Sequence, residues 1–305
     1  MRRIIILLAL TALAAESSWA QRLNRTIELL AADKPVFGVF GWNQSIDNAI
    51  ALARSDLDFV IIDLEHRPYD VERLRTFLLA MTDKGAILEK GSLQMNVTPL
   101  VRLPASNVEA TVTIAKQVLG MGAFGLMFPS VATREEAVRA IQASRYPQKK
   151  GVPDAEPKGL RGFEPFHPGM WYWGLGAMEY YERADTWPLD PEGEILVVFQ
   201  IETQEGVENI EDIVSVPGLG AVLVGSYDLS TSLGVPGDVR GPEVTAAVQT
   251  VWEACRARGI AMGATGGDLE QQLDQGFRFL AIGSDIGLTA RTTENLARAR
   301  EKSGR

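Results

Sequence analysis

The sequence predicts an α/β protein with a (β/α)8 barrel, the TIM-barrel fold, and three observations support this class. Eight short apolar runs alternate along the chain with stretches of helical period. These runs are largely aliphatic, which is typical of strands buried on both faces of a parallel sheet. The chain has 305 residues, and a single barrel typically needs about 250.

The predicted elements follow one another in the order that such a barrel requires. We place the strands at 36–40, 58–65, 98–103, 122–128, 195–202, 221–228, 260–264 and 277–283. An amphipathic pattern predicts a short helix over 22–32, and helical patterns over 134–143, 242–258 and 269–275 lie between later strands. Eight buried strands joined by crossover helices favour a closed barrel over an open sheet.

The first twenty residues predict a secretory signal peptide. Arg2 and Arg3 precede an apolar run over 4–15, and Ser18 and Ala20 are small residues at the positions that a signal peptidase reads. We therefore expect cleavage before Gln21, export to the periplasm or the medium, and one barrel domain over 21–305. A misassigned start or a retained anchor is the alternative. The apolar run is shorter than the roughly 20 residues that span a bilayer.

Composition excludes several classes of function. The net charge is −9 and the basic residues are scattered, which argues against a nucleic-acid partner. Cys255 is the sole cysteine, so the chain has neither an internal disulfide nor a cysteine metal cage. After the signal, no apolar segment is long enough for stable membrane insertion.

Two connections are longer than a minimal barrel needs. One covers 81–97, and the other covers about 146–194, between the fourth and fifth predicted strands. The second insertion is rich in aromatic residues, among them Trp171, Trp173 and Trp187. Such a loop more often covers a site or forms a subunit contact than stays disordered, and the sequence leaves both roles open.

Polar side chains collect where the predicted strands end, which is where barrel enzymes place their sites. They are Asp63, Glu65, His66, Arg102, Gln200, Glu202 and Asp228. Glu202 and Asp228 close two successive apolar runs, so two carboxylates would lie side by side. Hard oxygen ligands of this kind predict a divalent-cation site. The alternative is that two strands merely reach solvent at an acid.

Other chemistries lack their residues. None of the lysines lies in a predicted strand, which disfavours a Schiff-base aldolase. The sequence has no Gly-x-Ser-x-Gly motif and no Cys/His pair at a strand end. The glycine cluster over 263–267 fits either an anion contact through backbone N–H groups or a tight turn.

The polar motifs together resemble the HpcH/HpaI aldolase family, the metal-dependent class II pyruvate aldolases such as 4-hydroxy-2-oxoheptanedioate aldolase and 2-dehydro-3-deoxyglucarate aldolase. The motifs that carry the resemblance are Asp63-Leu-Glu-His66, Pro99-Leu-Val-Arg102-Leu-Pro104, Phe128-Pro129, Arg145-Tyr-Pro147, Arg161-Gly162, Gln200-Ile-Glu202-Thr203, Glu205-Gly206 and Gly225-Ser-Tyr-Asp228-Leu-Ser230. They occur in the family's order over most of the mature chain.

The resemblance implies a phosphoenolpyruvate/pyruvate-type barrel that forms a homo-oligomer, a trimer or a hexamer. It implies Mg²⁺ or Mn²⁺, with Co²⁺ or Zn²⁺ as alternatives, held by Glu202 and Asp228. Arg102 and Gln200 would bind the carboxylate and carbonyl of a 2-oxo acid. His66, oriented by Asp63, would move protons. Ser226, Tyr227 and Asp228 would line the substrate pocket.

The expected function is therefore that of a class II aldolase, a carbon–carbon lyase that cleaves or forms 4-hydroxy-2-oxo acids through a metal-stabilised pyruvate enolate. The reactants are a small 2-oxo acid and an aldehyde. Four residues depart from the family pattern: Leu64, the pair Ser226-Tyr227, and Gly120, where relatives commonly carry an Asp. These departures leave two alternatives, an exported oxo-acid-binding protein with a degenerate site and a CoA-ester lyase. The chain lacks the basic groove that a CoA ester would call for.

Overall fold

The computed structural model describes residues 21–104, 108–147, 155–287 and 290–304. The predicted signal peptide lies outside the described residues. Within them, no helix combines the length and apolarity needed to cross a bilayer.

The described strands form one parallel sheet that is nearly closed into a barrel. They are β1 (Val36–Gly41), β2 (Phe59–Asp63), β3 (Thr98–Arg102), β4 (Gly125–Phe128), β5 (Thr186–Trp187), β6 (Ile195–Ile201), β7 (Ala221–Val224), β8 (Ala261–Ala264) and β9 (Phe279–Ser284). The strand order is β8-β7-β6-β4-β3-β2-β1-β9, with β5 added beside β6. The Arg278 N–H donates to the carbonyl of Met262 at 2.9 Å and links the two ends of that order. The predicted (β/α)8 barrel is confirmed.

Helices alternate with the strands around the outside of the barrel. They are α1 (Arg25–Ala31), α2 (Ile46–Ala53), α3 (Val71–Ala80), α4 (Lys84–Lys90), α5 (Val108–Met121), α6 (Arg134–Ser144), α7 (Pro168–Trp173), α8 (Ala177–Arg183), α9 (Gln204–Glu208), α10 (Ile210–Ile213), α11 (Ser226–Ser232), α12 (Pro242–Ala257), α13 (Leu269–Gln275) and α14 (Ala290–Ser303). The helix predicted over 269–275 is found at those residues. The others differ from their predictions by up to three residues at an end.

The predicted strands differ from the observed ones at several ends, and the largest difference is at the end of the run over 221–228. The run over 221–228 leaves the sheet at Val224, because the Gly225 N–H makes its last ladder bond, to Ile201, at 3.0 Å. The Leu229 N–H then donates to the Gly225 carbonyl at 2.9 Å and starts α11. Asp228 consequently lies in the first turn of a helix and not at a strand tip.

The barrel interior is filled by large apolar side chains, and its amino end is covered by α1. Phe59 and Phe279 stack inside the barrel with ring centroids 4.5 Å apart. Ile27 and Leu30 of α1 pack into the same interior cluster. The Thr26 hydroxyl donates to the carbonyl of Asp58, just ahead of β2, at 3.2 Å. The carboxyl end is therefore the open end of the barrel.

The described part of the aromatic insertion packs beside the amino end of β4. The indole of Trp173 stacks on Phe124 at 4.3 Å and donates to the Gly122 carbonyl at 2.9 Å. The Tyr180 hydroxyl donates to the carbonyl of Leu119, near the end of α5, at 3.1 Å. Residues 155–194 therefore lie away from the open end of the barrel. The sequence left two roles open for this insertion, a cover over the site and a subunit contact. The position of these residues does not support the first.

Candidate active site

The predicted site residues meet at the carboxyl end of the barrel. Here a cavity of about 820 Å³, which we call the mouth cavity, is lined by five of them: His66, Arg102, Gln200, Tyr227 and Asp228. The three remaining predicted residues, Asp63, Glu202 and Ser226, are buried directly behind this lining. Barrel enzymes use this end because loops from different strands converge there.

Arg102 is held rigidly by two carboxylates. Asp63 and Arg102 are the last residues of β2 and β3 and are paired in register. The guanidinium donates from Nε to Oδ1 of Asp63 at 3.0 Å and from Nη2 to Oδ2 at 2.6 Å. Its Nη1 lies 2.9 Å from Oε2 of Glu65. Burial by itself would raise the pKa of the Asp63 carboxyl, but the hydrogen bonds and charge of Arg102 hold that pKa below its usual range.

His66 reaches the mouth cavity from the loop after β2. Its side chain is about half exposed, and Nε2 lies 3.7 Å from Oε2 of Glu65. The Asp63 carboxylate accepts a hydrogen bond from the backbone N–H of His66 at 3.4 Å. Its side-chain partner is Arg102 and not the imidazole of His66. The carboxylate beside the imidazole is therefore Glu65, and the expected pairing of Asp63 with the imidazole is corrected. Both acids lie on one face of the strand end, so the residue pattern could not separate them.

Glu202 is a buried carboxylate beside the mouth cavity. Its Oε1 accepts from the Ser130 N–H at 2.8 Å and from the Ser130 hydroxyl at 2.7 Å. Its Oε2 accepts from the side-chain amide of Gln200. Burial raises the pKa of Glu202 to about 7, the Ser130 hydrogen bonds oppose that rise, and the charges of Glu65 and Asp228 add to it.

The turn between β7 and α11 brings the last predicted residues to the cavity. Gly225 lies so close to Glu202 and Gln200 that any side chain there would collide with both. The Ser226 N–H donates to the hydroxyl of Thr265 at 3.0 Å. Tyr227 and Asp228 are exposed at the cavity edge.

The carboxylates fit a hard divalent cation as a two-ligand site. Burial raises the pKa of Glu65, and the Arg102 guanidinium and His66 lower it, whereas the Asp63 and Asp228 charges raise it. Glu65, Glu202 and Asp228 thus lie close enough to repel one another. Among the described residues, no cluster of three or more His, Cys, Asp or Glu is arranged to hold a metal. Mg²⁺ is commonly held by one or two carboxylates plus substrate and water, and the carboxylates of Glu202 and Asp228 have that chemistry.

Sequence reasoning missed three residues that shape this site. Glu65 was noticed at a strand end but given no role, and Gly225 was quoted only as part of a motif. Ser130 lies two residues after the end of β4, and the search for polar groups after each strand would have found it there. The glycine at 225 carries no signal of close approach until its neighbours are known.

Comparison with known proteins places the chain among aldolases. The family profile described as "HpcH/HpaI aldolase/citrate lyase" matches residues 37–292. A curated relative from Citrobacter koseri, named 5-keto-4-deoxy-D-glucarate aldolase, is 29% identical over 282 residues, which cover 92% of this chain and 97% of the relative.

Solved structures agree in fold. An HpcH/HpaI aldolase/citrate lyase family protein from Burkholderia cenocepacia J2315 superposes with a TM-score of 0.72 at 28% identity, covering 90% of this chain and 98% of that one. A citrate lyase beta subunit from M. tuberculosis, solved with oxaloacetate and magnesium, has a TM-score of 0.54 at 14% identity, covering 90% of this chain and 98% of that one. The second likeness concerns the fold alone. With the profile spanning most of its length and the site residues together at the mouth cavity, the chain belongs to the HpcH/HpaI aldolase/citrate lyase family.

Proposed function

We propose that this protein is a divalent-metal-dependent class II aldolase that cleaves or forms 4-hydroxy-2-oxo acids. The observation that carries the proposal is the hydrogen-bonded line from Asp63 through Arg102 and Gln200 to Glu202 at the mouth cavity. It combines a fixed positive charge, an amide and a buried carboxylate, with Asp228 at the same cavity. The relative named 5-keto-4-deoxy-D-glucarate aldolase supports an oxo acid as the substrate class.

Arg102 and Gln200 would bind and orient the 2-oxo acid. The Arg102 guanidinium is held by Asp63 and Glu65, so it keeps one orientation without substrate. Cleavage of the bond beta to a ketone leaves negative charge on the ketone oxygen, and a preorganised cation lowers the barrier to that charge. A divalent ion held by Glu202 and Asp228 would supply Lewis acidity at the same oxygen.

His66 would move the proton of the 4-hydroxyl group. It is the titratable group that faces the cavity from the β2 loop, with Glu65 3.7 Å away to orient the ring. A general base must lie within reach of the proton that it removes, and an exposed imidazole at the cavity edge can approach a bound hydroxyl. In the direction of synthesis, the same group would return the proton.

One assay tests the proposal without knowledge of the aldehyde. Protein loaded with Mn²⁺ or Mg²⁺ is incubated with pyruvate in D₂O, and methyl exchange is followed by NMR. We expect exchange in the wild type, its loss in Glu202→Ala, and a reduced rate in His66→Ala. Glu208→Ala, which removes an exposed carboxylate from α9, is the matched control and should exchange like the wild type.

Two outcomes contradict the proposal. If the wild type binds pyruvate without exchange, the protein is an oxo-acid-binding protein with a degenerate site. If Glu202→Ala exchanges at the wild-type rate, the metal and its chemistry lie elsewhere.

We also propose that residues 1–20 direct export and that the mature chain forms a trimer or a hexamer. The leader pattern of Arg2, Arg3 and the apolar run over 4–15 supports export. The family resemblance supports the assembly. Amino-terminal sequencing of protein from a periplasmic extract should begin at Gln21, and light scattering of that protein should give three or six times the chain mass.

A further inference from the structure

Ser130 adopts a backbone conformation that serine seldom takes. Its φ is +54°, and among the described residues Asp33 is the one other non-glycine residue with a positive φ. A side chain in this left-handed region is sterically disfavoured, so surrounding contacts must hold it there. Strain of this kind collects at functional sites.

Hydrogen bonds to the end of β6 and to the residue that follows it hold the turn at Ser130. The Val131 N–H donates to the Gln200 carbonyl at 3.2 Å and ties the loop after β4 to β6. The Ser130 N–H and hydroxyl then both converge on Oε1 of Glu202. The left-handed turn therefore presents both donors of one residue to a single carboxylate oxygen.

A glutamate carboxylate needs such contacts to have one orientation. Its terminal torsion joins sp³ and sp² carbons and has a broad, nearly two-fold profile, so the rotamer does not fix the plane of the oxygens. Ser130 holds Oε1, and the Gln200 amide holds Oε2. The line of hydrogen bonds that ends at Asp63 and Arg102 therefore begins at Ser130.

We infer that Ser130 is a positioning residue that fixes the Glu202 carboxylate for the divalent cation, an inference that rests on the proposed function. Partners that orient a metal ligand typically account for 10- to 100-fold in metal affinity. The hydroxyl is the specific element, because the backbone N–H persists in every variant except proline.

Two substitutions separate the hydroxyl from the backbone. Ser130→Ala removes the hydroxyl and keeps the strained φ, whereas Ser130→Gly removes the hydroxyl and relieves the strain. Ser144→Ala is the matched control, because Ser144 is a buried serine whose hydroxyl bonds the Ala140 carbonyl of its own helix, α6. Mn²⁺ affinity is measured by EPR titration of the free ion on the full mature chain, and the melting temperature is recorded for each variant. Glu202→Ala is titrated in parallel.

We expect Mn²⁺ binding to weaken about tenfold in both Ser130 variants and to stay at the wild-type level in Ser144→Ala. Because glycine relieves the strained φ, the melting temperature of Ser130→Gly should not be lower than that of Ser130→Ala. Wild-type affinity in Ser130→Gly, alongside loss in Glu202→Ala, would overturn the role of Ser130 and leave the proposed metal site intact. Equal binding by the wild type and Glu202→Ala would overturn both.

Discussion

Arg102 and Asp63 meet through two parallel hydrogen bonds, Nε to Oδ1 at 3.0 Å and Nη2 to Oδ2 at 2.6 Å, at the ends of adjacent strands. Both side chains are buried. A bidentate pair of this kind fixes the plane of the guanidinium as well as its position. The Arg102 guanidinium that would bind the oxo acid is therefore held in place by the barrel itself. Substrate binding does not have to order it.

Removing Asp63 should destabilise the protein strongly. Asp63→Ala leaves the Arg102 charge buried and short of its main partner, a change that typically costs about 3–5 kcal/mol. Urea unfolding at pH 7 measures the loss. Glu72→Ala breaks the exposed pair with Arg75 and should change the free energy of unfolding by less than about 1 kcal/mol. Similar losses in the two variants would contradict a special role for the buried pair.

Stability of the metal-free protein should depend on the ionisation of Glu202. With a folded-state pKa of about 7, raised by burial, the carboxyl keeps its proton at pH 5 and loses it by pH 8. Stability from a raised pKa is present at low pH and is lost as the pH rises through that value. In EDTA, the stability of the wild type relative to Glu202→Gln should therefore fall by about 2 kcal/mol from pH 5 to pH 8. A constant difference would mean that Glu202 ionises normally.

Tyr227 should control which aldehydes the enzyme accepts. Tyr227 is 62% exposed at the mouth cavity, and its ring lies next to Gly266. Tyr227→Ala should enlarge the acceptor side and shift the ratio of kcat/KM between a bulky and a small aldehyde about tenfold. Condensation rates with pyruvate across an aldehyde series measure the ratio. Pyruvate methyl exchange should be unchanged, and its loss would place Tyr227 at the oxo acid instead.

The two tryptophans of α7 should differ sharply in their contribution to stability. Trp173 is buried, stacks on Phe124 and bonds the Gly122 carbonyl, so Trp173→Ala should cost about 3–5 kcal/mol. Trp171 is 74% exposed, and Trp171→Ala should change stability by less than about 0.5 kcal/mol. Thermal unfolding of the two variants compares them directly. A large loss from Trp171→Ala would show that the exposed ring is covered in solution, as in a subunit contact.

Much of the fold could be predicted because barrel strands carry a local signal. Runs such as 195–199 are apolar throughout, and the polar residues that follow them mark the open end of the barrel. His66, Arg102, Gln200 and Asp228 were accordingly predicted at one site, and they line one cavity. The family resemblance came from the same motifs and agrees with the family profile.

The remainder depends on contacts that no local pattern encodes. Asp63 and Glu65 are equivalent in strand periodicity, and only the register of β2 against β3 pairs Asp63 with Arg102. The sequence predicts Asp228 at the end of the run that starts at 221, and periodicity did not show the switch from β7 to α11 at Gly225. The position of the aromatic insertion follows from its packing on Phe124, a contact between distant parts of the chain.

Ile27 and Leu30 cover the end of the barrel opposite the site, so within the described residues the carboxyl end is the open one. Gln21 lies at this covered amino end of the barrel, where the Arg183 guanidinium donates to its carbonyl. A bead, surface or fusion partner attached ahead of residue 21 would therefore lie at the amino end of the barrel. The mouth cavity of an immobilised enzyme would face the bulk solution.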